Sequence, residues 1–151
     1  ATRIAHRNTG RYSDDPVADK IMVRIAADEN LHMVFYRDIL AAAIKIEPSA
    51  AVCAIVDEVL AFAMPGAGIP GFIRKAAQIA KAGIYDIRVH REDVLMPIIK
   101  YWGIFELQNL NAAAEAARQR LADHLESLDV AARKFEERLA TSTIPRIVSA
   151  G

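Results

Sequence analysis

From Pro16 to about Ile46 the chain runs some thirty residues without a glycine or an internal proline. Asp14-Asp15-Pro16 opens this stretch, with Asp15 as N-cap, Pro16 at the first helical position and Asp19 in the first turn. Glu47-Pro48-Ser49 closes it. A helix of that length is long for an ordinary globular domain and usual in a helical bundle. In its middle lies Ile25-Ala26-Ala27-Asp28-Glu29-Asn30-Leu31-His32. Glu29 and His32 are three residues apart, which puts both side chains on one helical face. Ala18, Ile21, Ile25, Tyr36, Ile39 and Ala43 share that face, so the spacing predicts a carboxylate and an imidazole inside an apolar, interior stripe. Burying an ionised carboxylate costs roughly several kcal/mol unless something pairs with it. A metal ion would do so.

The remainder reads as helix throughout. Residues 1–11 look like the end of a helix already under way at Ala1, closed near Asn8, Thr9 and Gly10. The chain thus reads as a piece of a longer one. A helix is expected from about Pro48 to Ala63, with Val52, Ile55, Val56, Val59, Leu60 and Ala63 as its apolar face. Met64-Pro65-Gly66-Ala67-Gly68-Ile69-Pro70-Gly71 is a turn or irregular connection. It has neither the lysine pattern nor the preceding strand of a phosphate-binding loop. Further helices are expected over about Phe72–Ala82 with Gly83 as C-cap, over Asp86–Trp102 with Pro97 kinking or interrupting it, and over about Asn111–Leu139. Ile144, Ile147 and Val148 suggest that the tail docks on the body. The organisation expected is a single all-α unit: 1–46 bearing the ligands, 47–110 with shorter helices and the Pro/Gly loop, 111–139 a long helix, 140–151 a tail.

Composition removes several function classes. The 151 residues are 53% hydrophobic and 25% charged, enough for one domain with a core. Charges balance at 19 against 19 with no basic block, so nucleic acid is not an expected partner. No apolar run reaches the ~18 to 20 residues of a membrane span. No signal-peptide pattern is visible. Cys53, the single cysteine, lies in an apolar helical run and reads as a small buried hydrophobe in a reducing compartment. No nucleophile elbow is present, and one cysteine cannot make a cysteine-type zinc site.

A di-iron carboxylate site in a helical bundle needs two Glu-x-x-His helices and two lone glutamates. Only one Glu-x-x-His occurs, at Glu29/His32. His90-x-x-Asp93 is a poor substitute, and nothing singles out Glu58, Glu92, Glu106 or Glu115 as the lone acids. Any such site is therefore expected to draw its other half from outside these residues. Asp28, on the flank of the same face, suits a carboxylate that receives a ring N–H from a ligand histidine on a neighbouring helix. His6 reads by itself as an ordinary core or surface histidine. Tyr12, Tyr36, Tyr85, Tyr101 and Trp102 read as packing. Arg74, Lys75, Lys81, Arg88 and Arg91 form either a solvated face or a modest basic surface beside the loop.

Three stretches together resemble a known family. Ala1-Thr2-Arg3-Ile4-Ala5-His6-Arg7-Asn8-Thr9, then Ile25 to His32, then Met64-Pro65 followed by Ile84-Tyr85-Asp86, are similar to the soluble acyl-acyl-carrier-protein desaturases. The likeness in character is to the actinobacterial, mycobacterial-type branch, and it weakens after Asn109. It implies a ferritin-like di-iron helical bundle, usually a homodimer, of which this chain is the C-terminal half. It also implies that Glu29 bridges the two irons, that His32 is a terminal ligand of one iron, and that Asp28 orients a ligand histidine of the other motif. Thr2 then lies at the oxygen-binding side of the cluster, with His6 on the same ligand helix.

The implied reaction inserts a cis double bond into a saturated acyl chain held on acyl carrier protein. It uses two Fe, O2 and electrons from reduced ferredoxin, in the cytoplasm. The implied carrier-protein partner is acidic, so a basic rim is expected. A lone ligand glutamate just before Ala1, another lone glutamate and the first Glu-x-x-His are missing, so inactivity of this chain by itself is expected. The other readings are a non-catalytic helical interaction or scaffold fragment, and another ferritin-like di-iron oxidase.

Overall fold

The computed structural model describes residues 1–64 and 66–141. Among these residues the secondary structure is helical, with no strand. Helix α1 (Thr2–Ser13) is followed by α2 (Pro16–Ile46), α3 (Pro48–Ala61), α4 (Phe72–Lys81), α5 (Ile87–Val89), a π-helical segment (His90–Leu95), α6 (Met96–Trp102) and α7 (Ala112–Thr141).

The helix ends follow from local chemistry. Helix α1 does not stop at Asn8–Gly10 as expected but continues to Ser13, where Asp14 closes it in the left-handed conformation (φ 52°). Gly10 is not a terminator here. It is buried against α2, and a Cβ on it would meet Asp19 Oδ1 at 2.7 Å and Met22 Cβ at 2.9 Å. The glycine serves a close helix crossing. Asp15 caps α2 as its position implied, its carboxylate accepting from the Val17 N–H (2.7 Å) and the Ala18 N–H (3.0 Å). These two bonds hold the Asp15 carboxyl below its ordinary value. Helix α2 then runs its 31 residues to Ile46.

Helix α3 ends at Ala61, two residues before the expected end. Asp86 caps α5 through the Val89 N–H (2.8 Å). Pro97 has the predicted disruptive effect in a specific form. A proline has no N–H, and its ring crowds the carbonyl four residues back. The preceding turn widens, and the Met96 N–H bonds to the Arg91 carbonyl five residues back. The expected helix from Asp86 to Trp102 is thereby divided into α5, the π segment and α6 without leaving its path. Asn111 caps α7 through the Ala114 N–H (2.9 Å). The tail residues Ile144, Pro145, Ile147 and Val148, and Pro65 of the loop, lie outside the described residues.

The core sits between α3 and α7. Val52, Ile55 and Val56 of α3 pack with Ala114, Ala117, Leu121 and Leu125 of α7, joined by Leu95, Ile99 and Ile104 and by Ile44 near the end of α2. Alanines at 114 and 117 are fully buried. They let the two helices approach closely where larger side chains would hold them apart.

Helix α2 does not bury the stripe that its sequence pattern predicts. Ile21, Tyr36 and Ile39 are 53%, 64% and 49% exposed. Its buried residues are Ala26 and Ile44, on a neighbouring side of the helix. The cause is geometric. Helix α1 covers the Met22 side and reaches the stripe at Glu29, and α3 covers the end near Ile44, so Ile21, Tyr36 and Ile39 stay open. Leu31 and Phe35 are exposed as well, at 66% and 61%.

Candidate metal centre

The crossing of α1 and α2 brings Thr2 to Glu29. The Thr2 hydroxyl donates to Glu29 Oε2 at 2.7 Å, although 27 residues separate them. The same oxygen lies 4.0 Å from His32 Nδ1. Three of the residues singled out in the sequence therefore gather at one place. The crossing that gathers them rests on Gly10 and on the Arg7–Asp19 ion pair between the two helices. Asn8 ties the far side of α1 down by donating to the Ile84 carbonyl at 3.0 Å.

The surroundings differ from those the periodicity predicted. The His32 side chain is 70% exposed and that of Glu29 31%. Neither is sealed in an apolar interior. Asp28 is exposed and lies 3.6 Å from the Arg24 guanidinium. No histidine from a neighbouring helix reaches it among the described residues. His6 is half-buried, and its Nδ1 is buried with no hydrogen-bond partner. Such an atom is costly to leave unsatisfied.

As a metal site the group supplies the right kinds of donor, a carboxylate and an imidazole on one helical face. It does not supply enough of them. Among the described residues no three histidine, cysteine, aspartate or glutamate side chains are grouped to hold an ion. Glu58, Glu92, Glu106 and Glu115 do not join the group. Glu115 pairs with Arg118, and Glu92 with Arg88 and Arg91.

The basic set also divides. Arg88 donates to Asp129 (2.7 Å) and to both carboxylate oxygens of Glu136 (3.0 and 3.1 Å). Arg91 donates to the Leu125 carbonyl at 3.0 Å. Both arginines thus fasten the π-helical region to α7. Arg74, Lys75 and Lys81 alone remain as an exposed basic face, on α4.

One constellation has no counterpart in the sequence reading. The Tyr85 hydroxyl and His90 Nδ1 form a buried hydrogen bond of 2.8 Å, and the Phe62 ring stacks on the imidazole at 4.6 Å. Burial pushes the Tyr85 hydroxyl up to about 12, with Asp86 adding to it, and burial lowers the His90 imidazole. Tyr85 read as packing, and His90 only as a poor partner for Asp93. Their pairing arises where the chain turns from the loop into α5, a five-residue separation that matches no helical repeat. The Asp86 cap was the available signal that a turn, and so a possible contact across it, lay there.

Comparison with known proteins places the chain in a family. The family model described as fatty acid desaturase matches residues 1–148. The acyl-acyl-carrier-protein desaturase DesA1 of Mycobacterium tuberculosis is 46% identical over 136 residues, covering 90% of this chain and 40% of that protein. The chloroplastic stearoyl-acyl-carrier-protein 9-desaturases of Gossypium hirsutum and Arabidopsis thaliana are 32% and 28% identical, each over 91% of this chain and 36% of their own length. The chain thus spans about two fifths of the length of the curated relatives it matches. It carries the helical architecture, the Thr2–Glu29–His32 group and a match along nearly its whole length, and it belongs to the fatty acid desaturase family.

Proposed function

We propose that the chain is the Glu29/His32-bearing part of an acyl-acyl-carrier-protein desaturase, which inserts a cis double bond into a saturated acyl chain held on acyl carrier protein. The observation that carries this reading is the convergence of Thr2, Glu29 and His32 in a member of this family. The names of the relatives support the substrate class. Glu29 and His32 are the ligands, and the remaining donors come from other parts of the complete polypeptide. The cofactor is a pair of irons, the co-substrate O2, and the electron donor a reduced ferredoxin. Asp28 is assigned to orient a ligand histidine from a helix that is not among the described residues. The complete enzyme is a homodimer working in the cytoplasm. Among the described residues no helix is long and apolar enough to cross a membrane.

When bound, the iron pair with O2 supplies the oxidising power needed to remove two hydrogens from unactivated C–H bonds. This chain's residues position and protect that chemistry. The Thr2 hydroxyl, by donating to Glu29 Oε2, fixes the carboxylate rotamer and leaves the other oxygen free to bind metal. The same hydroxyl oxygen keeps its lone pairs free to accept a hydrogen bond on the oxygen-binding side that the family resemblance implies. His6 sits one turn further along the same helix, with Nδ1 awaiting a partner. Ile21, Leu31, Phe35 and Ile39 of the same helix are exposed apolar side chains that would exclude water once covered. Arg74, Lys75 and Lys81 are the basic residues available to an acidic carrier protein.

The test is made in the complete polypeptide. Glu29→Ala and His32→Ala each lower bound iron from two per chain towards none, and abolish desaturation of an acyl carrier protein substrate. Full iron and turnover in either variant would falsify the assignment.

A further inference from the structure

Among the described residues the buried set is apolar but for His90 and the hydroxyl of Tyr85. These two polar groups meet, with Tyr85 Oη 2.8 Å from His90 Nδ1. The Phe62 ring stacks on the imidazole and shields it on that side. Neither residue takes part in the chemistry proposed for Glu29 and His32. Nδ1 is the acceptor that the structure gives the phenolic proton, so the hydroxyl donates and the second ring nitrogen carries the imidazole proton.

Such a pair suits one kind of chemistry. Removing an electron from a phenol makes its proton strongly acidic. At an exposed tyrosine, water takes that proton. A buried phenol has no bulk water beside it, and a charged tyrosine side chain is costly in apolar surroundings. Oxidation of Tyr85 therefore needs a base already in contact, and neutral His90 stands at the end of a formed hydrogen bond. Burial pushes the phenol up and the imidazole down, so both partners are neutral beforehand. The charges felt by the pair are Asp86 at the tyrosine and, at the histidine, the Ala1 amino group and His124. Helix α1 links the pair to the candidate metal centre: Asn8 donates to the carbonyl of Ile84, the residue before Tyr85, and Ala1 precedes Thr2.

We propose that Tyr85 and His90 form a proton-coupled redox site. Tyr85 gives one electron to a one-electron oxidant of high potential, its O–H bond breaks, and the proton forms an N–H bond at His90 Nδ1. A neutral tyrosyl radical is left beside an imidazolium, and return of one electron and the same proton restores the pair. In the desaturase proposed above the metal centre would supply that oxidant. This link rests on the proposed function, and an external oxidant tests the pair without it.

The probe is photogenerated tris(bipyridine)ruthenium(III), applied to the chain carrying Tyr12→Phe, Tyr36→Phe and Tyr101→Phe, in which Tyr85 is the only tyrosine. Transient absorption and electron paramagnetic resonance are expected to show a tyrosyl radical that lives at least tenfold longer than those formed at the exposed tyrosines of Tyr85→Phe. Its formation should slow at least twofold in heavy water. His90→Gln keeps an acceptor for the hydroxyl but is too weak a base to take the proton, and should slow radical formation at least tenfold. His90→Phe, which keeps the ring stack, is the second variant should His90→Gln lose its helical circular dichroism. The proposal is overturned if Tyr85 gives no radical, if the radical decays as fast as those of the exposed tyrosines, if heavy water leaves its formation unchanged, or if a folded His90 variant forms it as fast as the parent.

Discussion

The C-terminal end and the middle of α2 meet opposite surroundings. Near Ile44 the helix joins a closed core in which Val52, Val56, Ile104 and Leu121 are wholly shielded from water. Around Glu29 and His32 the same helix carries Leu31, Phe35 and Tyr36 more than 60% exposed. Both stretches are rich in apolar residues, so hydrophobic content does not separate them. What separates them is whether this chain supplies a covering element. Helices α3, α6 and α7 cover the first. Helix α1 covers only one side of the second. The exposed apolar side chains there share the helix surface with the candidate ligands and with the Arg24–Asp28 pair. The chain joins a closed core to an open face that carries the candidate ligands.

Core truncation should break the closed region most severely. Leu121→Ala is expected to destabilise the chain by about 3 kcal/mol, through lost burial plus the cavity it leaves. Leu31→Ala, an equal truncation on the open face, should change stability by no more than about 0.5 kcal/mol. Urea unfolding of both variants measures the difference. Equal losses would mean that α2 is covered all round, and the contrast would fail.

Gly10→Ala tests the junction between the two regions. Its Cβ would come within 2.7 Å of Asp19 Oδ1 and 2.9 Å of Met22 Cβ. Helix α1 must then shift from α2, at a cost of about 1–3 kcal/mol. The Thr2–Glu29 bond should be lost while the α3–α7 core persists. Hydrogen exchange that quickens in α1 but not in α7 is the expected pattern, and uniform quickening would show that the regions are not separable.

A smaller effect is expected from pH. His90 is held below its ordinary value by burial, so the unfolded chain binds a proton more readily than the folded one. Stability is therefore complete above pH ~6.5, falls as pH drops through that value towards the lower folded one, and loses nothing more from this group below it. Replacing the imidazole in His90→Phe should remove that step from a stability–pH profile. The depressed carboxyls of Asp15, Asp38 and Asp129 act in the same direction, but below pH ~3.8.

The elements were largely legible in the sequence because their ends carry strong local chemistry. Asp15-Pro16, Glu47-Pro48, Gly83 and Asp86 each mark a boundary that the fold uses. Gly10 misled for a physical reason: a glycine that terminates a helix and one that allows a close crossing look alike until the second helix is placed. The periodicity of α2 showed a stripe around Glu29 but not whether anything lies over it. Periodicity reports which residues share a face, while burial depends on what packs against that face. The Thr2–Glu29 bond and the Tyr85–His90 pair were not legible from spacing, since one depends on the α1–α2 crossing and the other on a turn. Arg88 and Arg91 showed their charge in the sequence but not their partners, because Asp129, Glu136 and the Leu125 carbonyl belong to a helix more than thirty residues away.

The central claim, a closed core carrying one side of a metal site, is tested most directly by titrating the 151-residue chain with ferrous iron under argon. Bound metal is counted after gel filtration, and the optical spectrum is recorded after admitting air. Two donors on an open face predict no tightly held iron pair and no charge-transfer bands of a bridged cluster. Retention of two irons per chain, with those bands, would contradict the account and make the site complete within these residues.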